Sequence, residues 1–309
     1  MLLYQAFQLF KMDRESYCSE KTLIYYEENV SKFLNFLSQQ FQCDVNLIDS
    51  SVVSREVVLL YISMLRASGV KNTTVNTYFR ATKAFLNYCM EEGFVQDNVL
   101  RKVKFLKSDQ EPIIPLTCHE VDDIDGLFST KCESGLRNLC IIHLMLDAGF
   151  RCSDVCNLKI SNINFKNNYL VVQGKGAKYR SVPLCSSLKK MLYQYLIYYR
   201  SYVHVDDFQD APVFVSVDGK SSFLSNDAIK QLFVRIKRNT GIERVHPHML
   251  RHTFATSYIV GGGNLEFLRM MLGHSDYETT KLYLHLAEQS KMLRSDIYKL
   301  DSIFFKSGY

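Results

Sequence analysis

No two of the nine cysteines stand in CxxC spacing, and their number is odd, so neither a structural zinc site nor a disulfide framework is indicated. Cys18, Cys43, Cys89, Cys118, Cys132, Cys140, Cys152, Cys156 and Cys185 are scattered, many inside apolar helical patterns where free cysteine behaves as a small hydrophobe. That usage fits a reducing cytoplasm. No apolar run approaches the roughly 18 residues that would suggest a membrane span. The apolar start MLLYQAFQLF has no positive segment before it and meets Lys11, Asp13 and Arg14 at once, which argues against a signal peptide. It reads as a short amphipathic helix or a loosely held tail. Internal repeats and low-complexity tracts are absent. The charge excess is small, a net +5 over 309 residues, which permits a nucleic-acid partner without requiring one. With 47% hydrophobic residues the chain can fill two cores.

The first hundred residues read as helices. Ser19 is a candidate cap for the helix that runs through 22–41, Ser54 opens 55–69 with Gly69 closing it, and Asn72 or Thr73 opens a third helix that ends near Gly93. A shorter helix follows near Val99, which gives a four-helix bundle. The segment RKVKFLKSDQEPIIP then turns basic, polar and proline-broken, and is the expected linker. Thr117 and Glu120 form a capping box immediately after it.

The second half mixes helix and strand. An apolar helix over 135–148 leads into Arg151. Strands are expected at 158–165, 169–173 and 179–184, with turns at Lys166-Asn167-Asn168 and Gly174-Lys175-Gly176, and a short one at 214–217. Helices are expected at 186–199 and, between Ser225 and Gly241, at 226–240. Gly261-Gly262-Gly263 reads as a loose turn before NLEFLRMMLGH.

The last third carries the chemistry. His248, Arg251, His274 and Tyr283 follow one another in HPHMLRHTFAT and LGHSDYETTKLYLH, with Arg151 upstream in GFRCSD and Lys175 between in GKGAKYRSVPL. Guanidinium groups bind phosphate through two bonds, imidazole moves protons near neutrality, and an activated phenol is a covalent nucleophile. Taken singly, each has a bland reading: a surface arginine, a hairpin lysine, a capping histidine, one tyrosine among 19. Their order within these segments is far more specific.

In that order and in those motifs the chain resembles the tyrosine recombinases, the DNA integrase and Xer-type family, over about residues 112–290 and more weakly over the helical N-terminal part. The resemblance implies a mainly α fold with a small antiparallel β-sheet in the catalytic domain. It implies a two-domain C-shaped clamp, a four-helix SAM-like bundle plus a recombinase catalytic domain. The expected division is 1–102 for core-DNA binding, 103–114 as linker and 115–309 as catalytic domain with a protomer-docking tail.

The implied activity is site-specific cleavage and rejoining of DNA through a 3′-phosphotyrosyl intermediate, with no ATP, metal or cofactor. Tyr283 would be the nucleophile, Arg151 and Arg251 the phosphate clamps, Lys175 the general acid, His248 a proton acceptor or phosphate donor, and His274 a phosphate donor. Asp154 is expected to anchor Arg151 or a histidine. His252, Tyr277 and His285 read as structural, and His246 is unassigned.

Double-stranded core-site DNA is the expected partner. Thr74, Thr77, Arg80 and Lys83 are candidates for groove contact, Arg101, Lys102 and Lys104 for phosphates, and Lys230 and Arg235 for a second helix at the duplex. An ordinary solvated face remains the alternative. Strand exchange implies a homotetramer or heterotetramer on two duplexes. The apolar stripe Met292, Leu293, Ile297, Leu300, Ile303, Phe304 and Phe305 is expected to dock on a neighbouring protomer, with burial on its own domain as the alternative. The enzyme would serve a mobile element or resolve chromosomes or plasmids. A type IB topoisomerase and a catalytically silent DNA-binding protein are the rival readings.

Overall fold

The computed structural model describes residues 1–96, 98–107, 113–174, 179–199, 211–215, 223–274, 277–292, 296–301 and 304. The chain divides into two compact units, Met1–Glu111 and Pro112–Tyr309.

The first unit is built on four helices: α1 (Leu3–Glu15), α2 (Glu20–Phe41), α3 (Arg55–Ala67) and α4 (Asn72–Glu91). The apolar start of the chain is not a loose tail. Leu3, Ala6, Phe7 and Phe10 repeat at helical spacing and are buried, and the Phe10 ring meets Tyr26, Phe85 and Tyr88 with centroids 5.1–5.6 Å apart. Helix α1 therefore supplies the fourth member of the bundle. The segment near Val99, expected to be helical, is a turn.

Ser54 caps α3 through its hydroxyl, which accepts from Val57 N, and Gly69 closes it at φ +77°. Ser19 makes no side-chain cap bond. At α4 the cap position falls on Lys71, so Asn72 is already helical and is free to bind elsewhere: its Nδ2 donates to Lys107 O. Asn76 exchanges two 2.8 Å bonds with the Leu106 backbone, and Val103 is buried in the same core. The first part of the expected linker, 103–107, thus lies along α4.

In the second unit the Thr117–Glu120 capping box forms and opens α5 (Cys118–Asp125). Helix α6 (Glu133–Leu146) is apolar on nearly every face and runs through the core. A short helix, α7 (Cys152–Cys156), precedes the antiparallel meander β1 (Ile163–Asn164), β2 (Tyr169–Gln173) and β3 (Tyr179–Pro183). Leu170 faces Val182 and Val172 faces Arg180, so one face of the sheet is covered, with Arg180 beside three apolar residues.

The first strand is shorter than expected. Leu158 O and Ile160 N bond to Val213 and Ala211 instead, and 160–162 form a single 3-10 turn. Of the strand expected at 214–217, Val215 makes a lone bridge to Phe223, while 216 and 217 lie outside the described residues.

Helices α8 (Ser186–Tyr199), α9 (Asn226–Thr240), α10 (Pro247–Val260), α11 (Leu265–Leu272) and α12 (Glu278–Met292) complete the unit. Ser225 caps α9 and Gly241 ends it at φ +71°. The triple glycine is not loose: Gly263 N donates to Tyr258 O, and a Cβ on Gly263 would stand 2.2 Å from the Tyr258 ring.

The described part of the C-terminal tail packs on its own unit. Ile297 bridges Thr117, Tyr298 N donates to Leu116 O, Ser257 Oγ donates to Tyr298 O, and Tyr298 Oη donates to Asp147 Oδ1 at 2.9 Å. Phe304 stacks edge-on against Phe254 and Tyr258. Leu293, Ile303 and Phe305 lie outside the described residues. No helix among the described residues is long and apolar enough to cross a membrane.

Candidate active site

Helix α10 places Arg251 in the interior. Pro247 starts the helix and His246 caps it, its Nδ1 accepting from Met249 N. One turn on, Arg251 is 4% exposed. It reaches Gly149 O with Nη1 (2.5 Å) and Leu272 O with Nη2 (2.6 Å). Burial first, and the nearby Arg151 charge second, draw its pKa down to about 9, which leaves it a cation at neutral pH. Gly149 is required here: it holds φ +64°, and a Cβ would lie 2.6 Å from the Phe254 ring.

The end of α11 sorts three guanidinium groups onto three successive carbonyls. Met271 O accepts from Arg180 Nε (2.7 Å), Leu272 O from Arg251 Nη2, and Gly273 O, more loosely, from Arg151 Nη2 (3.4 Å). The last carbonyls of a helix lack partners within it and carry the negative end of its dipole, so cations settle there. Gly273 then reverses the chain at φ +63° and delivers His274.

His274 Nε2 lies 3.2 Å from Arg251 Nη2, and its Nδ1 lies 2.9 Å from Thr280 Oγ1. Arginine only donates, so Nε2 accepts and the proton sits on Nδ1. Burial, then Arg251 and Arg151, push the ring pKa down to about 4, so the imidazole is neutral. The sequence reading has His274 donate to phosphate; in this arrangement its Nε2 accepts from Arg251 instead.

Tyr283 on α12 is buried, 2% exposed, with its hydroxyl 2.9 Å from His252 Nδ1. Its ring lies nearly parallel to His274, centroids 6.4 Å apart. Burial raises the phenol pKa, against the pull of Arg251 and Arg151. Burial, then the neighbouring His248 and His246, lowers His252 to about 4. A neutral phenol is thus paired with a neutral imidazole. His252, read from sequence as structural, is the partner of the Tyr283 hydroxyl. His248, expected to accept the Tyr283 proton or to bond a phosphate oxygen, keeps an exposed edge; partial desolvation, then Arg251 and Arg151, lower its pKa. Tyr277 and His285 point outward, Tyr277 under the Lys281 ammonium and His285 beside Glu288.

Arg151 stands at the N-cap of α7, not at a helix end behind it. Asp154 does not hold the Arg151 guanidinium. Its Oδ2 accepts the Arg151 backbone N–H (2.9 Å) and Arg180 Nη2 (2.5 Å). Arg180 is the second residue that sequence reading missed. The signal was present: period-two alternation puts it on the same face as buried Val182. Lys175 lies outside the described residues, between β2 and β3.

The candidate DNA contacts fall on both units. On α4, Thr74, Thr77, Arg80 and Lys83 are at least partly exposed, and the Arg80 and Lys83 cations sit 5.6 and 5.3 Å from the Phe105 ring centroid. Arg101, Lys102 and Lys104 are exposed beside them on the first unit. Lys230 and Arg235 are exposed on α9, Lys230 pairing with Asp227 at 2.7 Å.

Comparison with known proteins identifies the family. Residues 116–290 match the phage integrase family, and residues 9–93 match the phage integrase N-terminal SAM-like domain. A tyrosine recombinase of Thermosipho africanus is 31% identical over 274 residues, 88% of this chain and 91% of that one. The tyrosine recombinase XerC of Bacillus pumilus is 28% identical over 276 residues, 88% of each chain. Among solved structures, the Tn1549 transposon integrase in complex with transposon right end DNA superposes with a TM-score of 0.72 at 19% identity, covering 95% of this chain and 99% of that one. The XerH site-specific recombinase on a palindromic difH substrate gives 0.72 at 21% identity, covering 94% and 83%. The chain belongs to the phage integrase family.

Proposed function

We propose that this protein is a site-specific DNA recombinase that breaks and rejoins DNA through Tyr283. One observation carries the reading: a buried phenol held by an imidazole, beside two guanidinium groups anchored on neighbouring carbonyls of one turn. The two arginines bind the non-bridging oxygens of one backbone phosphate and stabilise the charge that grows in the transition state. The Tyr283 oxygen bonds to phosphorus, the bond to the deoxyribose 5′-oxygen breaks, and that oxygen takes a proton from Lys175. A 5′-hydroxyl of the partner duplex then attacks the 3′-phosphotyrosyl ester and releases Tyr283. The phenoxide is a far better leaving group than an alkoxide, which makes the second step feasible without ATP.

Tyr283 must first be uncovered, so DNA engagement has to shift α12. His252, hydrogen-bonded to the Tyr283 hydroxyl, is positioned to take the phenol proton, with His248 as the other candidate. The basic residues of α4, of 101–104 and of α9 bind core-site DNA. Four protomers on two duplexes complete strand exchange. The free thiols fit a cytoplasmic setting.

The test is a supercoiled plasmid with two candidate core sites. Recombinant circles that need both sites support the reading. Relaxation without recombinants, from plasmids with or without sites, would favour a topoisomerase.

A further inference from the structure

We infer that Arg180 is a positioning residue for the phosphate-binding arginines. Its side chain is 9% exposed and bridges three elements. From β3 it donates Nε to Met271 O at the end of α11 and Nη2 to Asp154 Oδ2 at the start of α7. Asp154 Oδ2 also accepts the Arg151 backbone N–H, so one carboxylate oxygen ties Arg180 to the turn that aims Arg151. The Met271 bond fixes the carbonyl just before those that hold Arg251 and Arg151.

The packing around Gly273 is tight as well. A Cβ there would stand 3.2 Å from Arg180 Cδ, at a φ of +63°. The third nitrogen, Nη1, is buried with no hydrogen-bond partner among the described residues. A guanidinium kept at that disadvantage is held by its other two edges. It acts through Arg151 and the α11 turn, which its two bonds hold. Lysine cannot copy it, because one ammonium does not span Met271 O and Asp154 at once.

The probe is inorganic tungstate, a phosphate mimic, titrated into the DNA-free full chain by calorimetry. Arg180→Lys keeps the charge and loses the bracket. Its tungstate affinity should fall about 10- to 100-fold, the range seen when outer partners of metal ligands are removed, with a cooperative melt retained. Asp154→Asn should fall similarly, and the double variant by less than the sum of the two, since the Arg180–Asp154 bond is common to both.

Unchanged affinity in Arg180→Lys, additive losses in the double variant, a native chain that binds no tungstate, or loss of the cooperative melt would each overturn the assignment. The inference deepens the recombinase reading yet is measured apart from it. A chain with Arg180-dependent tungstate binding and no Tyr283–DNA adduct would retire that reading and leave the positioning role standing.

Discussion

Replacing Arg251 with lysine separates two contributions that the structure keeps on one side chain. The guanidinium fork satisfies Gly149 O and Leu272 O together, at 2.5 and 2.6 Å, in a position 4% exposed. A lysine ammonium reaches one of them and leaves the other carbonyl buried without a donor, which costs about 1–3 kcal/mol of folding stability. In the reaction it removes a preorganised donor from the phosphate, about 3–4 kcal/mol of barrier or roughly 10²- to 10³-fold in rate. Urea unfolding gives the first number, and single-turnover adduct formation on saturating nicked DNA gives the second. A stability loss with a rate within threefold of native would refute the placement of Arg251 on the phosphate, since packing alone would then explain its burial.

Three further outcomes follow from the geometry. Burial alone would lower the pKa of His143, but its hydrogen bonds with Asp125 and Asp147 more than reverse this and raise it to about 10. A raised folded pKa means the contribution is complete below about 6.5 and is lost as pH climbs through about 10. Native stability relative to His143→Leu should therefore shrink by a few kcal/mol between pH 7 and pH 10, and a flat difference in denaturation curves would contradict this. His252→Phe removes the partner of a phenol 2% exposed and should cost about 1–3 kcal/mol in urea unfolding; a neutral effect would show that the hydroxyl finds another acceptor. Gly149→Ala forces a Cβ to within 2.6 Å of Phe254 at a φ of +64°, and should lower stability by about 1–3 kcal/mol by thermal melting; an unchanged melting temperature would mean the Phe254 ring yields freely.

The parts of the fold that were legible in the sequence carry local chemistry. Thr117 with Glu120, and Ser225 with Gly241, mark helix ends because short-range hydrogen bonds decide them. What escaped was set by tertiary partners. Helix α1, one of the two readings of the chain's start, has no side-chain cap, and burial against Phe85 and Tyr88 decides for it over a loose tail. The strand expected from 158 is cut short because its backbone pairs with 211–213, about fifty residues on. The tail's apolar stripe shows that it must be covered and not by what; Leu116, Thr117 and Ser257 receive it. At the site, motif order singled out Arg151, Arg251, His274 and Tyr283. It missed His252, whose bond to Tyr283 spans 31 residues, and Arg180, whose bonds reach Met271 and Asp154, 91 and 26 residues away.

The most direct test of the central claim is mass spectrometry of a covalent complex trapped on nicked core-site DNA, with Tyr283→Phe alongside. The account predicts a nucleotide joined through its 3′-phosphate to Tyr283, and no adduct from the variant. A DNA adduct on another residue, or one that persists in Tyr283→Phe, would contradict it.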